Sequence, residues 1–433
     1  MGLLKRAFSN ERKQFQRLSK QGQKFALSIF LYNIIHPIFA IFINAFLWRQ
    51  TEDVMIVALF NLSLFCMLPV GFYINGQLLK HFSVKNLYFA GAVFRSSLIA
   101  LLIFYPAVTQ FAVIFFGLGY GLSSGIFFSN KNLLTVELTK SSNRMYFSSL
   151  DFLSQTVNNI FIPMALGALL VLGSNNGLYS AQQGYYIVAI LMISLSFYMG
   201  SAIKKIDIKT PTVANIVLQN GSHQWNCARG ITALLGLLTG ISMFLPAIIV
   251  LSYVGKEDTL GLMQSVAAII SGIIMYTIAR SINTKYRVGM ITVSIMSLFI
   301  ASATLAFSFN ATGIFLFIAI MTIAQQILFA ETNSVILDLI DRENTDQDNK
   351  YMYIFDLEMV LNVGRVTSIM FFVFYTKNFS PDFAMQYTPL FFSVALIAII
   401  ILAKTIEVRA EVPLRHTELA ESYVTKQSTI NKY

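Results

Sequence analysis

Charged residues are scarce in this sequence. Asp, Glu, Lys and Arg make up only 12% of the 433 residues, whereas 56% are hydrophobic and the mean hydropathy is +0.65. Soluble domains carry about 25% charged residues, so this composition excludes a water-soluble enzyme. A membrane-spanning helix needs about 20 predominantly apolar residues, and the apolar residues suffice for about a dozen such helices. The sequence therefore predicts an integral membrane protein.

Cysteine is also rare, and the motifs of common cofactor sites are missing. Cys66 lies in an apolar run and Cys227 in a basic stretch, which gives neither a disulfide framework nor metal-ligand spacing. Four glycines between 117 and 125 lie on a predicted helix and lack the preceding strand of a nucleotide-binding loop. No nucleophile is paired with a base. We therefore expect no enzyme activity, no cofactor and no metal site.

Basic residues exceed acidic ones and give a formal net charge of +10. They are spread over short loops and two tails, without the contiguous basic face that nucleic-acid binding needs. Most of the 31 Lys and Arg residues fall on the side of the predicted membrane that holds the N-terminus, and loops rich in these residues stay cytoplasmic. The sequence thus predicts a multi-pass protein of a bacterial-type inner membrane, in contact with lipids, with both termini cytoplasmic.

Polar breaks divide the apolar sequence into twelve predicted spans. They cover approximately 25–47, 54–79, 87–105, 108–136, 145–173, 184–203, 230–254, 259–279, 288–308, 312–339, 351–376 and 386–404. The predicted organisation is a basic cytoplasmic tail (1–24), a six-helix bundle (25–203), a cytoplasmic linker (204–229), a second six-helix bundle (230–404) and a C-terminal tail (405–433).

The two predicted bundles resemble each other in sequence, as the halves of many transporters do. The basic loop Lys80 to Lys85 corresponds to the loop that begins at Arg280. Residues 127–138 align with 328–339, and 144–160 with 351–367. These alignments pair Asn130 with Glu331, Asn132 with Asn333, Glu137 with Asp338, Asp151 with Glu358 and Asn158 with Arg365. An internal repeat of six plus six spans follows.

The whole chain resembles the major facilitator superfamily of secondary transporters. The family's loop motif after span two, G-x-L-A-D-R-x-G-R-[RK], corresponds to 76–85, where Gly76, Leu78 and Lys85 match. The acidic position is Lys80 and the second glycine is Ser83, so the family's charge lock cannot form in that way. Pro163 and Gly167 resemble the family's punctuation of span five. The resemblance implies an all-helical fold of two bundles and transport by alternating access.

Ionisable residues inside the spans are the best candidates for a binding site. A charge in the hydrocarbon costs at least about 2.5–3.5 kcal/mol, so those that remain face a cavity or have partners. Arg95 and Arg365 are interpreted as anchors for an anionic group, with a packing ion pair as the alternative for Arg95. Lys131 either contacts substrate or extends to the membrane interface. The predicted substrate-binding set is Arg95, Lys131, Asn158, Gln325, Asn362 and Arg365.

Three residues are candidates for proton coupling. Glu331 stands where the first half has a neutral amide, and burial favours the protonated form of a carboxylate. The alternative is a permanent salt bridge from Glu331 to Lys131 or Arg365. Glu358 lies two turns before Arg365 on one helix face. His36 can carry protons, although a histidine beside a proline such as Pro37 more commonly binds a freed backbone carbonyl.

Ion pairs near the loops are predicted to form gates that break and re-form during alternation. The candidates are Lys80, Lys85, Glu137, Asp151, Arg280 and Asp338. The predicted spans, the ionisable residues inside them and these gate residues together favour a secondary transporter of a small anionic or zwitterionic solute. We expect it to be monomeric and to work by proton-coupled symport or antiport. Export of an amphipathic metabolite, drug or siderophore is the alternative within the class. A non-transporting sensor or scaffold and a lipid flippase are alternatives from other classes.

Overall fold

The structure is a computed structural model in which every regular element is a helix over the ranges described. These ranges are 15–16, 18–105, 108–139, 141–175, 177–206, 208, 221–253, 257–281, 286–343 and 350–406. Most of the predicted tails and much of the predicted linker lie outside them. The side chains of Arg280 and Asp338, both predicted gate residues, also lie outside the described part of the molecule.

Twelve helices follow one another in the described ranges. They are α1 Lys20–Thr51, α2 Val54–Leu78, α3 Val84–Phe104, α4 Gln110–Leu138, α5 Ser141–Asn175, α6 Ala181–Lys204, α7 His223–Tyr253, α8 Glu257–Ser281, α9 Arg287–Phe307, α10 Ala311–Glu343, α11 Lys350–Asn378 and α12 Pro381–Ile406. Eleven of these helices are long and apolar enough to cross a membrane, and α8 adds the shorter apolar stretch Asp258–Ile274. The predicted all-helical fold of two bundles is confirmed.

Short polar residues start several of these helices. The Asp53 carboxylate accepts a hydrogen bond from the Met55 amide at 2.7 Å, and Ser180 with Gln183 forms a reciprocal capping box at the start of α6. Such caps satisfy amide groups that have no partner inside the helix. These caps define the first residues of α2 and α6.

Helices α2 and α4 are held together in the first bundle by glycines. A Cβ on Gly125 would lie 2.8 Å from the Gly71 Cα and would overlap the Leu68 carbonyl oxygen. Gly121 approaches the Leu64 carbonyl in the same way. Small residues let membrane helices approach closely and gain dispersion contacts. This glycine contact positions the wall of α2 that faces the other bundle.

Helices α7 and α11 make the corresponding close pair in the second bundle. A Cβ on Gly236 would lie 2.8 Å from the Gly364 Cα. Near the start of both helices, Asp356 is 1% exposed and accepts hydrogen bonds from Trp225 Nε1 at 2.7 Å and Arg229 Nε at 2.8 Å. Arg229 Nη2 also lies 2.7 Å from the same oxygen. This buried network fixes the starts of α7 and α11 together.

The bundles meet along two seams, α2 against α11 and α5 against α8. We call the side of the molecule where α1 begins and α12 ends the terminal face, and the other side the far face. Towards the terminal face, the Tyr351 hydroxyl on α11 donates to the Phe72 carbonyl of α2 at 2.9 Å. In the other seam, Gly261 of α8 lies against the Pro163 carbonyl of α5. On the far side of the centre, Asn44 of α1 donates to the Met243 carbonyl of α7 at 3.0 Å.

Candidate functional site

A cavity of about 530 Å³ lies between the two bundles. Two irregular helices form part of its wall. Helix α1 contains a π-helical turn, Ile38–Phe42, directly after Pro37, and α7 is interrupted between Ser242 and Leu245. Such irregular turns occur often at functional sites. The polar groups lining the cavity come from His36, Arg95, Tyr120, Ser124, Gln155, Asn159, Thr239, Ser242, Gln264, Thr322, Gln325, Gln326 and Arg365.

Arg95 lies in the cavity wall inside a cage of aromatic rings. Its guanidinium carbon is 4.2 Å from the ring centre of Phe39 and 4.7 Å from that of Phe127. The rings of Tyr32, Tyr120 and Phe128 lie within 6 Å. The side chain is 3% exposed, and its Nη1 has no hydrogen-bond partner. Ring faces stabilise a cation, but they leave this N–H donor unsatisfied.

Arg365 faces the same cavity from α11 but has a carboxylate partner. Its Nη1 lies 3.1 Å from Glu358 Oε1 and 3.3 Å from Asn362 Oδ1, and its Nε donates to Thr239 Oγ1 at 3.3 Å. Asn362 in turn donates to Glu358 Oε1 at 3.0 Å. Glu358 and Arg365, which lie on one face of α11, therefore belong to a connected network that ends in the cavity at Arg365. Asn362 joins them, because it donates to Glu358 and accepts from Arg365.

A second ion pair lies in the first bundle, closer to the terminal face. Lys131 Nζ is 3.9 Å from Asp151 Oδ2 and 4.3 Å from the ring centre of Tyr32. Asn33 of α1 donates to Asp151 Oδ1 at 2.8 Å. Both charges thus belong to one bundle, so the pair does not itself bridge the two bundles. Neither residue contributes to the described lining of the cavity.

The predicted coupling residues occupy three different surroundings. Glu331 on α10 has Arg287 of α9 at 3.7 Å, so its partner is neither Lys131 nor Arg365. Glu358 is bound to Arg365, as described above. His36 lines the cavity, with its ring 5.7 Å from the ring of Tyr32. Among the three, His36 is the residue in direct contact with the cavity.

The remaining predicted residues are spread over the molecule. Gln325 lines the cavity and donates to Ser242 Oγ at 3.2 Å. Asn158 is turned away and donates to the Ser154 carbonyl of its own helix at 2.9 Å, whereas its neighbours Gln155 and Asn159 reach the cavity. Lys85 Nζ donates to the Ile206 carbonyl at 2.7 Å. Lys80 and Glu137 are exposed.

Sequence reasoning missed the aromatic cage and part of the polar lining. The cage consists of three of the 38 Phe and two of the 19 Tyr in the chain, so composition gave no signal for these residues. Gln264 on α8 was also missed, although an amide in an apolar span is a detectable feature. Within the described residues, no group of three or more His, Cys, Asp or Glu residues is placed to hold a metal ion.

Comparison with known proteins found relatives of low identity in sequence. No family model matches this chain. It is 23% identical to "Uncharacterized protein YqgE" of Bacillus subtilis (strain 168) over 356 residues, which cover 82% of each chain. It is 26% identical over 156 residues to "Uncharacterized protein in sodM 3'region" of Geobacillus stearothermophilus, covering 34% of this chain and 66% of that protein.

Solved structures match over nearly the whole chain. A D-xylose-proton symporter has a TM-score of 0.65 at 10% identity and covers 87% of this chain and 96% of its own. The nucleoside transporter NupG and a bacterial metal transporter each have a TM-score of 0.59, at 14% and 12% identity, and each covers 90% of this chain and 99% of its own. Together with two bundles around a central cavity, these matches identify the architecture: the chain has the fold of the major facilitator superfamily.

Proposed function

We propose that the protein is a secondary transporter that moves a small polar, anionic or zwitterionic solute by alternating access. The observation that carries this proposal is the cavity of about 530 Å³ between the bundles, which has the size of a small-molecule site. Arg95 and Arg365 face it, and its described lining contains no carboxylate. Transporters among the structural neighbours support the same class.

The contacts between the bundles favour transport of a solute that enters from water. At the α5–α8 seam, Gly261 lies against the Pro163 carbonyl, and a Cβ on Gly272 would lie 2.9 Å from Thr156 Cγ2. A lipid flippase needs a lateral opening, and this seam is closely packed at both points. Export of an amphipathic anion fits the same cavity and is the second candidate. Export of a large cation is disfavoured because two arginines and no described carboxylate line the cavity.

The proposal includes the orientation and setting of the protein. The terminal face is cytoplasmic, since the loops rich in Lys and Arg lie on that side. The protein works as a monomer in the inner membrane.

A second pocket adjoins the central cavity and is lined by residues of α5 and α10, as far as Phe152 and Asn333. Asn333 is exposed. In the proposed cycle this is the route to the cytoplasm.

Glu358 is the proposed coupling group, ahead of Glu331 and His36. Its Oε1 lies 3.1 Å from Nη1 of Arg365, a residue of the cavity wall, so its protonation removes a negative charge beside the cavity and favours an anionic solute. Glu331 instead lies 3.7 Å from Arg287 and outside the described lining of the cavity. Proton binding at Glu358 and binding of an anionic solute in the cavity then assist each other by linkage.

We expect Glu358→Gln to abolish pH-driven accumulation while solute exchange continues. The variant keeps an oxygen near Arg365 but cannot take up and release a proton. Glu331→Gln is the matched control, and His36→Gln tests the third candidate. The measurement is solute flux in proteoliposomes with and without an imposed pH gradient. Full pH-driven accumulation in Glu358→Gln, or its loss only in Glu331→Gln or His36→Gln, would assign coupling elsewhere.

The transport function itself is tested in two steps. Purified protein is first screened by thermal shift against organic anions, zwitterions, sugars and cationic drugs, because a ligand of the folded state raises its stability. The compound that gives the largest shift is then offered to proteoliposomes. Saturable accumulation inside the vesicles supports a transporter. Binding with no movement across the membrane in either direction would instead indicate a sensor or scaffold.

A further inference from the structure

Arg95 differs from the other cations inside the bundles in its lack of a carboxylate partner. Lys131, Arg229, Arg287 and Arg365 each have a carboxylate within 4 Å. Within the part of the chain that the structure describes, Arg95 has no such ion pair, and its Nη1 has no hydrogen-bond partner. A buried charge is costly unless it is paired. The cavity wall therefore carries one positive charge that the described carboxylates do not compensate.

The geometry around Arg95 restricts what can compensate it. Five aromatic ring centres lie within 6 Å of the guanidinium carbon, and Arg95 is 3% exposed. The side chain still contributes to the cavity wall. One singly charged oxyanion at the cavity side of the guanidinium would compensate this charge. While Glu358 is ionised, a second negative charge on the solute would have no free cation, because Arg365 is bound to Glu358. An ammonium group would meet no carboxylate in the described lining.

The rest of the polar lining is uncharged and rich in carboxamides. Gln155 and Asn159 come from α5, Gln264 from α8, and Gln325 and Gln326 from α10. Gln325 and Gln326 are each held by a serine, through Ser242 at 3.2 Å and Ser271 at 2.6 Å. Carboxamides both donate and accept hydrogen bonds. They suit hydroxyl or amide groups on a neutral part of the solute.

We propose that the solute is an organic monoanion with two distinct ends. Its single carboxylate, or another singly charged oxyanion, binds the guanidinium of Arg95 where this side chain lines the cavity. Its neutral body, which carries hydroxyl or amide groups, contacts the carboxamides from α5, α8 and α10. This inference rests on the proposed transport function, which left anionic and zwitterionic solutes open, and it selects the anion.

The first test measures binding to the purified full-length protein with matched probes. D-gluconate has one charge and a hydroxylated body, D-sorbitol lacks the charge, D-glucarate has two charges, D-glucosaminate adds an ammonium, and hexanoate lacks the hydroxyls. N-acetylglycine and N-acetylglycinamide form the corresponding amide pair. We expect the monoanion of at least one series to bind roughly 10- to 100-fold more tightly than its counterparts, as expected for a hydrogen bond to a charged group.

The probe panel also defines the results that overturn the proposal. Equal or tighter binding of the dianion, the zwitterion or the neutral compound would contradict a single free cation at Arg95. Tightest binding of hexanoate would contradict the role of the carboxamides. Failure of both gluconate and N-acetylglycine to bind at millimolar concentration would also reject the proposed class of solute.

The second test changes Arg95. We expect Arg95→Gln to remove the preference for the monoanion over its neutral counterpart, and Arg95→Lys to keep the preference with roughly tenfold weaker binding, because lysine lacks the planar donor fork. Lys377→Gln, an exposed cation at the end of α11, is the control and should bind as the wild type does. An unchanged preference in a folded Arg95→Gln variant would reject this inference.

The two proposals fail in different ways. If the protein accumulates solutes but Arg95→Gln has no effect on charge preference, the transport function stands and the assignment of the anion site is wrong. If Arg95-dependent binding of a monoanion is found but proteoliposomes never move that compound, the site stands and the transport function is wrong.

Discussion

We expect Gly125→Leu to leave little folded protein, because the α2–α4 contact has no space for a side chain at this position. Even a Cβ on Gly125 would overlap the Leu68 carbonyl oxygen and lie 2.8 Å from the Gly71 Cα. These are backbone atoms, which cannot rotate away as the end of a side chain can. The helices would have to separate, and the cavity wall that α2 provides through Leu64, Phe65 and Leu68 would move with them.

Gly289→Leu provides a matched control, since no atom lies within 4 Å of a Cβ built there. The smaller change Gly125→Ala should cost about 3 kcal/mol, at the upper end of the usual range for overpacking. The measurements are the monodisperse yield in detergent and the midpoint of thermal unfolding. Equal yield and midpoint for Gly125→Leu and Gly289→Leu would show that the helices are not held by this close contact.

The fold could be predicted from the sequence because it depends on properties that single residues carry. Spans follow from apolar length and from the polar breaks between the apolar runs. The aligned pair of Asp151 with Glu358 indicated two related halves. The resemblance to the major facilitator superfamily pointed to the same fold, which the structure confirms. None of these arguments requires knowledge of which helices touch.

The site was predictable only in part, because the partner of a buried charge depends on how neighbouring helices are rotated. Arg95 and Arg365 were singled out as rare charges in apolar spans, and both face the cavity. The partner of Glu331 was not predictable, since Arg287 starts a different helix and looked like a loop residue. The aromatic cage around Arg95 could not be found among so many phenylalanines and tyrosines.

The loop after α2 illustrates how the structure can compensate for a lost motif. The acidic position of the family's loop motif is occupied by Lys80, which is exposed. At this end of the α2–α11 seam, the contact is instead the uncharged hydrogen bond from Tyr351 to the Phe72 carbonyl. Tyr351 is 5% exposed, so water does not compete freely for this bond. Among the residues that the structure describes, this uncharged bond links the two bundles here without an ion pair.

The second large effect is expected for Asp356→Ala, which should lower the free energy of unfolding by about 3–5 kcal/mol. Asp356 is buried and its Oδ2 accepts from both Trp225 and Arg229. Removing the carboxylate takes from Arg229 its contacts with Asp356. It also leaves Trp225 with a buried, unpaired N–H, and an unpaired buried donor carries its own penalty. Because this network joins the starts of α7 and α11, both helices should lose order together.

Unfolding of Asp356→Ala is best followed by titration with SDS in mixed micelles. Asp382→Ala is the control, because Asp382 is exposed at the start of α12 and accepts only a 3.2 Å bond from Tyr253, so its removal should cost below about 1 kcal/mol. The double variant Arg229→Met/Asp356→Leu should recover part of the loss, since it removes both charges together. If Asp356→Ala were no less stable than Asp382→Ala, the buried pair would contribute nothing to holding α7 against α11, and the glycine contact between Gly236 and Gly364 would have to hold these helices by itself.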